Sequence, residues 1–215
     1  MADSATGVPA HGLTRSVSPL DDDTRETVER ALKLFCAGLG ELVGNCDAVS
    51  LLDSGGGAYP FVAPSVTAPI CEHFPDDSGR IFDELCSRFN SWCESAFESL
   101  CERIDDADDV IEPDYVIHKN RQYRAPLSIH KSMDAVVHPM DTTAPSHERV
   151  RVGDVDSELV ESCEQWCRSL TENDYSGGVD SLIAELFADE HASASSWQEA
   201  LRAWLDEQDA RAATR

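Results

Sequence analysis

The stretch "DAVSLLDSGGGAYPFVAP", residues 47–64, decides the fold that we expect for this chain. Two short apolar runs, residues 47–53 and 58–64, flank a small-residue turn, and this pattern predicts two strands joined as a hairpin. The glycines of the turn at residues 54–57 lack a Cβ, so the backbone can take positive φ angles and approach another group closely. A plain hairpin turn accounts for these glycines; the alternative is a turn whose backbone N–H groups face a phosphate.

Amphipathic helices are predicted on both sides of this hairpin. Residues 21–43 begin with acidic capping residues and then repeat apolar groups at helical spacing, and residues 76–104 keep the same period over a longer stretch. Two more strands are predicted at residues 112–117 and 134–140. This order predicts an α+β fold in which helices pack on a small, mainly antiparallel sheet.

The chain length suits one domain with flanking segments. Residues 1–22 are small, polar and turn-rich, which is typical of a disordered tail. Residues 23–150 carry the predicted core, and residues 151–215 contain three helical segments that predict an acidic C-terminal helical appendage. No apolar run is long enough to span a membrane and no secretory signal is recognisable, so we expect no membrane partner and a cytoplasmic location.

The charge balance is extreme, with 41 acidic against 17 basic residues and a formal charge of -24. The acids are spread through helices and loops, which favours a surface adapted to high salt, as in halophilic proteins, where charge repulsion is screened. The alternative is an acidic mimic of nucleic acid or a protein that binds a basic partner. That alternative predicts a chain without a cluster of cations, and this chain has one.

The cysteines are spaced for helix faces rather than for a metal. Cys86, Cys93 and Cys101 are separated by seven and eight residues within one predicted helix, and the chain contains no C-x-x-C pair. This spacing favours small, reduced, buried thiols over a zinc site.

The cluster of cations lies in residues 115–133, a window without a carboxylate. Pro126 favours an extended or turning segment there. Arginine guanidinium groups bind phosphate oxygens bidentately, and lysine adds a mobile charge. In an extended segment Ser128 and His130 share one side. The window therefore predicts contact with a triphosphate, while pairing with acids elsewhere in the fold is the alternative.

Two acids precede this window. Glu112 and Asp114 are two residues apart, so on a strand their carboxylates project from the same face. Paired carboxylates beside a phosphate-binding segment are typical of a site for Mg²⁺ or Mn²⁺. In so acidic a chain, the alternative is two solvated surface acids.

The order of these parts resembles the archaeo-eukaryotic primase superfamily, which contains the catalytic small subunits of primases and related primase-polymerases. "SGGGAY", residues 54–59, resembles its small-Gly-x-Gly-x-His turn, and "EPDYVIHKNRQYRAPLSIHK", residues 112–131, resembles its acidic strand followed by an arginine-rich stretch and a Ser-x-His. The similarity covers about residues 45 to 140. It implies an RRM-like sheet and a DNA primase/polymerase-like nucleotidyltransferase that builds primers in replication from nucleoside triphosphates on a single-stranded DNA template, with Mg²⁺ or Mn²⁺.

The resemblance also implies roles for individual residues. Asp114, with Glu112, would be the catalytic acid and metal ligand. The implied nucleotide-binding residues are Ser54, Gly55, Gly57, Tyr59, Arg121, Arg124, Ser128, His130 and Lys131.

Two features depart from the family. Tyr59 stands where the family has a histidine, and its first motif, an Asp-x-Asp pair on a strand, is not found. The pair Asp21 and Asp23 is better explained by helix capping. The expectations are therefore a partial core that needs a missing N-terminal half or another replication subunit, or a degenerate module that binds nucleotide or single strands without catalysis.

A further alternative places the function in the C-terminal helices. Trp166, Trp197 and Trp204 would then be docking groups of an acidic interaction protein, although aromatic residues at helical spacing are more often part of a core.

Overall fold

The structure is a computed structural model that describes residues 21–113, 124–130 and 133–214. The expected tail before residue 21 lies outside these residues, and so does most of the strand predicted at 112–117. The helices are α1 (Asp22–Leu42), α2 (Ala68–His73), α3 (Ser78–Cys101), α4 (Ala107–Val110), α5 (Ser157–Glu172), α6 (Gly178–Leu186), α7 (Ala188–His191) and α8 (Trp197–Ala213). The strands are β1 (Val49–Asp53), β2 (Ala58–Val62) and β3 (His138–Met140).

The predicted α+β class is confirmed by a three-stranded antiparallel sheet in the order β2-β1-β3. Asp53, the last residue of β1, lies opposite Ala58 of β2 and opposite His138 of β3. Side chains alternate across a strand, so these three residues project from one face of the sheet. The next pair in the register, Leu52 and Tyr59, projects from the other face.

Helices cover both faces of the sheet. Val49 and Leu51, on the same face as Asp53, belong to the hydrophobic core that α1 and α3 complete with buried residues such as Leu32. On the opposite face, Phe61 of β2 meets Trp166 of α5 edge-to-face, with ring centroids 5.9 Å apart.

Helix α1 begins as its capping residues predict. The Asp21 side chain accepts a hydrogen bond from the backbone N–H of Thr24 at 2.8 Å. This bond lowers the pKa of the Asp21 carboxyl, because the charged form is the better acceptor. Asp21 and Asp23 therefore belong to a helix start, as the sequence predicts, rather than to a strand with a metal-binding pair.

The helices after residue 150 share the core of the residues before it. Trp197 and Trp204 are buried in the same hydrophobic cluster as the residues of α1 and α3, so the reading of these two side chains as exposed docking groups is wrong. A polar contact joins the same parts of the chain. Arg88 of α3 binds Glu190 of α7 with both terminal nitrogens, at 3.0 and 2.8 Å, and lies over the ring of Phe187.

The remaining differences from the expected elements are local. The strand predicted at residues 134–140 is regular only at 138–140, and the short helix α2 carried no periodic signal. Among the cysteines, Cys86 and Cys93 are buried as predicted, whereas Cys46 and Cys167 are exposed. Within the described ranges, no helix is both long and apolar enough to cross a membrane.

Candidate functional site

The segment that carries the Ser-x-His motif lies beside the strand that leads into β3. The backbone N–H of Val137 donates to the Ser128 carbonyl at 3.0 Å, and that of His130 donates to the Ala135 carbonyl at 2.8 Å. Ile129 lies opposite Val136 in an antiparallel bridge. Residues 127–130 and 135–137 thus form a hairpin that extends the sheet beyond β3.

The glycine turn packs directly against this hairpin. Gly55 has a φ of 78°, and a Cβ placed on it would lie 2.4 Å from the Cβ of Ala135. A Cβ on Gly56 would lie 2.5 Å from Cε of Met133 and 3.4 Å from Nε2 of His130. The turn therefore needs glycine at Gly55, for its backbone conformation and for its packing against Ala135, whereas the nearest atom to Gly56 is the end of the flexible Met133 side chain.

The sheet register places three of the predicted site residues on one face. Ile129 shares a face with Val136, so its neighbours Ser128 and His130 project from the opposite face. Val136 is two residues before His138, so Val136 and Ile129 lie on the Asp53 face of the sheet. Ser128 and His130 therefore project from the other face, which is also the face of Tyr59. Burial agrees with this alternation, because Ile129 is exposed while Ser128 and His130 are half-buried.

Local contacts orient the segment that precedes His130. The Ser128 hydroxyl donates to the carbonyl of Ala125 within the turn that Pro126 begins, so its remaining capacity is that of an acceptor. One terminal guanidinium nitrogen of Arg124 is buried and has no hydrogen-bond partner among the described residues. Such a donor costs free energy unless a ligand or water satisfies it.

The candidate site also contains a residue that the sequence analysis missed. Asp53, the residue before Ser54, is completely buried at the end of β1. Its Oδ1 accepts the backbone N–H of Gly55 at 2.5 Å, and its Oδ2 lies 2.6 Å from Nδ1 of His147. Neither of these two atoms makes a hydrogen bond among the described residues, so they form a close, buried pair.

Residues 147–150 lie beside the strand that leads into β3, at the position where β1 no longer pairs with that strand. Val136 donates its N–H to the carbonyl of Val150 at 3.0 Å, and Nε2 of His138 lies 3.1 Å from the carbonyl of Glu148. The backbone N–H of His147 donates to Oε1 of Glu29 in α1 at 2.9 Å. This segment therefore joins the sheet to α1.

The polar groups of Ser54 and the N–H of Gly55 have acceptors within the protein. The hydroxyl and the N–H of Ser54 both donate to the carbonyl of Gly57 at 2.8 Å, and the N–H of Gly55 is held by Asp53. The amide of Gly55, which the sequence allowed as a phosphate donor, thus has an acceptor within the protein.

The metal ligands implied by the resemblance are placed only in part. Glu112 is exposed and follows α4, whereas Asp114, Arg121 and Lys131 lie outside the described residues. Across the described residues, no three His, Cys, Asp or Glu side chains come together as a set of metal ligands. Glu112 alone does not make a site for a divalent metal, so no chemical step is derived from such an ion here.

Two surface grooves are lined by other residues. One groove of about 320 Å³ lies between α1 and α3 beside Trp92, and another of about 510 Å³ follows α5 beside Glu161.

Comparisons with protein-family models, with curated proteins and with solved structures found no match to this chain.

Proposed function

We propose that this protein is the nucleotide-binding core, or the C-terminal half of the core, of a DNA primase/polymerase-like nucleotidyltransferase. In this proposal the sheet is an RRM-like half of a primase fold, and the acidic helices after residue 150 are an addition to that fold that completes its core. The enzyme would join nucleoside triphosphates on a single-stranded DNA template during replication, in the cytoplasm.

One observation carries the proposal: the glycine turn lies against His130, and Ser128, His130 and Tyr59 project from the same face of the sheet. These residues come from two stretches that the sequence analysis assigned separately to nucleotide binding. The His130 ring and the Tyr59 hydroxyl, on this face beside the glycine turn, are side chains that can donate hydrogen bonds to triphosphate oxygens.

The buried guanidinium nitrogen of Arg124 supports the same proposal. Arginine binds phosphate through several N–H donors at once, and this nitrogen has no acceptor among the described residues, so an anion that reached it would satisfy it. In a chain with a formal charge of -24, an arginine in a window free of carboxylates is a local attraction for a polyphosphate.

The divalent metal remains part of the proposal. Asp114 with Glu112 would hold Mg²⁺ or Mn²⁺, which supplies charge neutralisation to phosphoryl transfer. The protein residues would bind and orient the triphosphate.

The test is primer synthesis at high salt. Single-stranded DNA, nucleoside triphosphates and Mn²⁺ are incubated with the protein, alone and with candidate replication subunits. The expected products are absent with Asp114→Ala and retained with the control Asp109→Ala, which removes an exposed acid of α4. Synthesis that survives Asp114→Ala, or its absence under every combination, would refute the catalytic proposal.

The second candidate is a module that binds nucleotide or single-stranded nucleic acid without catalysis. It is favoured by the role of Asp21 as a helix cap, which leaves the first acidic motif of the family without a counterpart. This candidate predicts binding of a nucleoside triphosphate that is lost in an Arg121→Ala/Arg124→Ala variant, with no synthesis by the wild type. A wild type that binds neither nucleotide nor single strands would exclude it.

A further inference from the structure

We propose that Asp53 is a positioning residue whose two carboxylate oxygens fix two segments around the hairpin of His130. These segments, which together frame that hairpin, are the glycine turn beside His130 and residues 147–150, which bond to the strand paired with the His130 segment. One oxygen holds the glycine turn, and the other holds residues 147–150. The description of His130 as part of a nucleotide site rests on the function proposed above, whereas the fixing of the two segments by Asp53 does not.

The first connection runs through the turn. Oδ1 of Asp53 accepts the N–H of Gly55, whose positive φ of 78° turns the chain sharply after β1. The next residue, Gly56, then faces the side chains of His130 and Met133. A shift of the turn would change the space beside the His130 ring.

The second connection runs through residues 147–150. Oδ2 of Asp53 lies 2.6 Å from Nδ1 of His147, whose side chain is 9% exposed. Three residues later, the carbonyl of Val150 accepts the N–H of Val136, and Val136 lies opposite Ile129, the residue between Ser128 and His130. Movement of His147 would therefore be transmitted to the hairpin that carries the Ser-x-His motif.

The burial of Asp53 explains why one residue can fix both segments. A carboxylate that is fully removed from water favours an arrangement that brings polar groups to its oxygens, and here the Gly55 amide bonds to one oxygen while the His147 ring lies against the other. The groups that face this carboxylate are the Gly55 amide and the His147 ring, with His138 opposite Asp53 on β3 and Glu29 bound to the His147 backbone.

The test compares backbone amide hydrogen exchange and nucleotide affinity in three variants. Asp53→Ala removes both connections, Asp53→Asn keeps an acceptor for Gly55, and His147→Phe removes only the second connection. We expect Asp53→Ala to speed exchange at Gly55 and Val136 by about ten-fold or more, because local opening becomes easier. Asp53→Asn should restore protection at Gly55, and His147→Phe should affect Val136 but not Gly55.

The matched control is Asp141→Ala, which removes an exposed carboxylate that accepts the N–H of Thr143 at 2.7 Å. It should leave exchange at Gly55 and Val136 unchanged. The affinity for dATP should fall by about ten-fold in Asp53→Ala and His147→Phe if the framing of His130 is needed for binding, and it should not change in Asp141→Ala.

The outcomes separate the two proposals. Unchanged exchange at both amides in Asp53→Ala would overturn the positioning role. Altered exchange with unchanged dATP affinity would overturn its relevance to the site. A wild type that does not bind dATP would contradict the proposed function, while the exchange data would still decide whether Asp53 fixes the two segments. If Asp53→Ala does not fold, Asp53→Asn and His147→Phe carry the test.

Discussion

Gly55→Ala tests the close packing of the glycine turn. A non-glycine residue at a φ of 78° costs about 1–2 kcal/mol. The added Cβ would also lie 2.4 Å from the Cβ of Ala135, and overpacking of this kind costs about 1–3 kcal/mol. The structure therefore predicts that the free energy of unfolding falls by roughly 2–5 kcal/mol.

A double-mutant cycle separates these two causes. Ala135→Gly removes the atom that clashes but leaves the strained φ of Gly55→Ala unchanged. The double variant should therefore recover about 1–3 kcal/mol relative to the sum of the single variants, which is the overpacking contribution.

Urea denaturation measures each free energy of unfolding, and equal slopes against urea concentration validate the comparison. The control is Gly79→Ala in the first turn of α3, where a Cβ meets no atom within 4 Å. This control should be neutral or stabilise the protein by up to about 1 kcal/mol, because alanine favours a helix more than glycine does. A Gly55→Ala protein as stable as the wild type, or the absence of coupling to Ala135, would refute the packing described for the turn.

Three further predictions concern the helices. Arg88→Met should lower the free energy of unfolding by about 2–4 kcal/mol, since it leaves the Glu190 carboxylate, 13% exposed, without its partner. Burial raises the pKa of Glu190, but the hydrogen bonds from Arg88, a backbone hydrogen bond and the charges of Arg88 and Arg211 together outweigh it, so the net shift is downward. The wild-type pair therefore stabilises the protein at neutral pH, and this contribution is lost as the pH falls through the lowered pKa of Glu190. Urea denaturation of the wild type and of Arg88→Met across acidic pH measures this loss. Stability profiles of the two proteins that run parallel against pH would contradict the role of the pair. Burial raises the pKa of Cys36 to about 12. A thiol reagent should therefore label the exposed Cys167 in the folded protein and Cys36 only on unfolding. Rapid labelling of Cys36 in the folded protein would contradict its burial. Trp204→Ala should cost about 3–5 kcal/mol in urea denaturation, and a cost near zero would show that the ring is not part of the core.

Periodic segments were predictable from the sequence because their burial pattern is local. Helix α1 was expected within 21–43 and lies at Asp22–Leu42, and α3 was expected at 76–104 and lies at Ser78–Cys101. In both, apolar side chains recur at the helical period and capping residues mark the start of α1. The β1–turn–β2 hairpin was predictable for the same reason, since its pairing is between neighbours in sequence.

Pairing between distant segments was not predictable in this way. The strand expected at 134–140 divides its hydrogen bonds among β1, residues 127–130 and Val150, and only its part beside β1 is regular. The pair Asp53 and His147 was missed because an acid before a glycine turn is normally a solvated turn residue. A weak signal was available: this carboxylate ends the apolar run "VSLLD", in which the preceding residues point to a buried strand.

The candidate site was predictable in its residues more than in its chemistry. The arginine and Ser-x-His window was identified by its lack of carboxylates, and the structure brings His130 against the glycine turn that the sequence singled out separately. Their role in nucleotide binding stays a prediction, as does that of Asp114, Arg121 and Lys131. No property of one sequence reports how a bound ion or triphosphate would complete such a site.

The sharing of one core by α1, α6 and α8 has a consequence for synthesis of the chain on the ribosome. Leu32 near the start and Leu201 near the end are both fully buried in the same cluster. The nascent protein therefore cannot bury its early apolar side chains fully until residues beyond Leu201 have emerged from the exit tunnel. Until then it exposes apolar surface on which chaperones and proteases act, so slow translation of the last helix would lower the yield of folded protein.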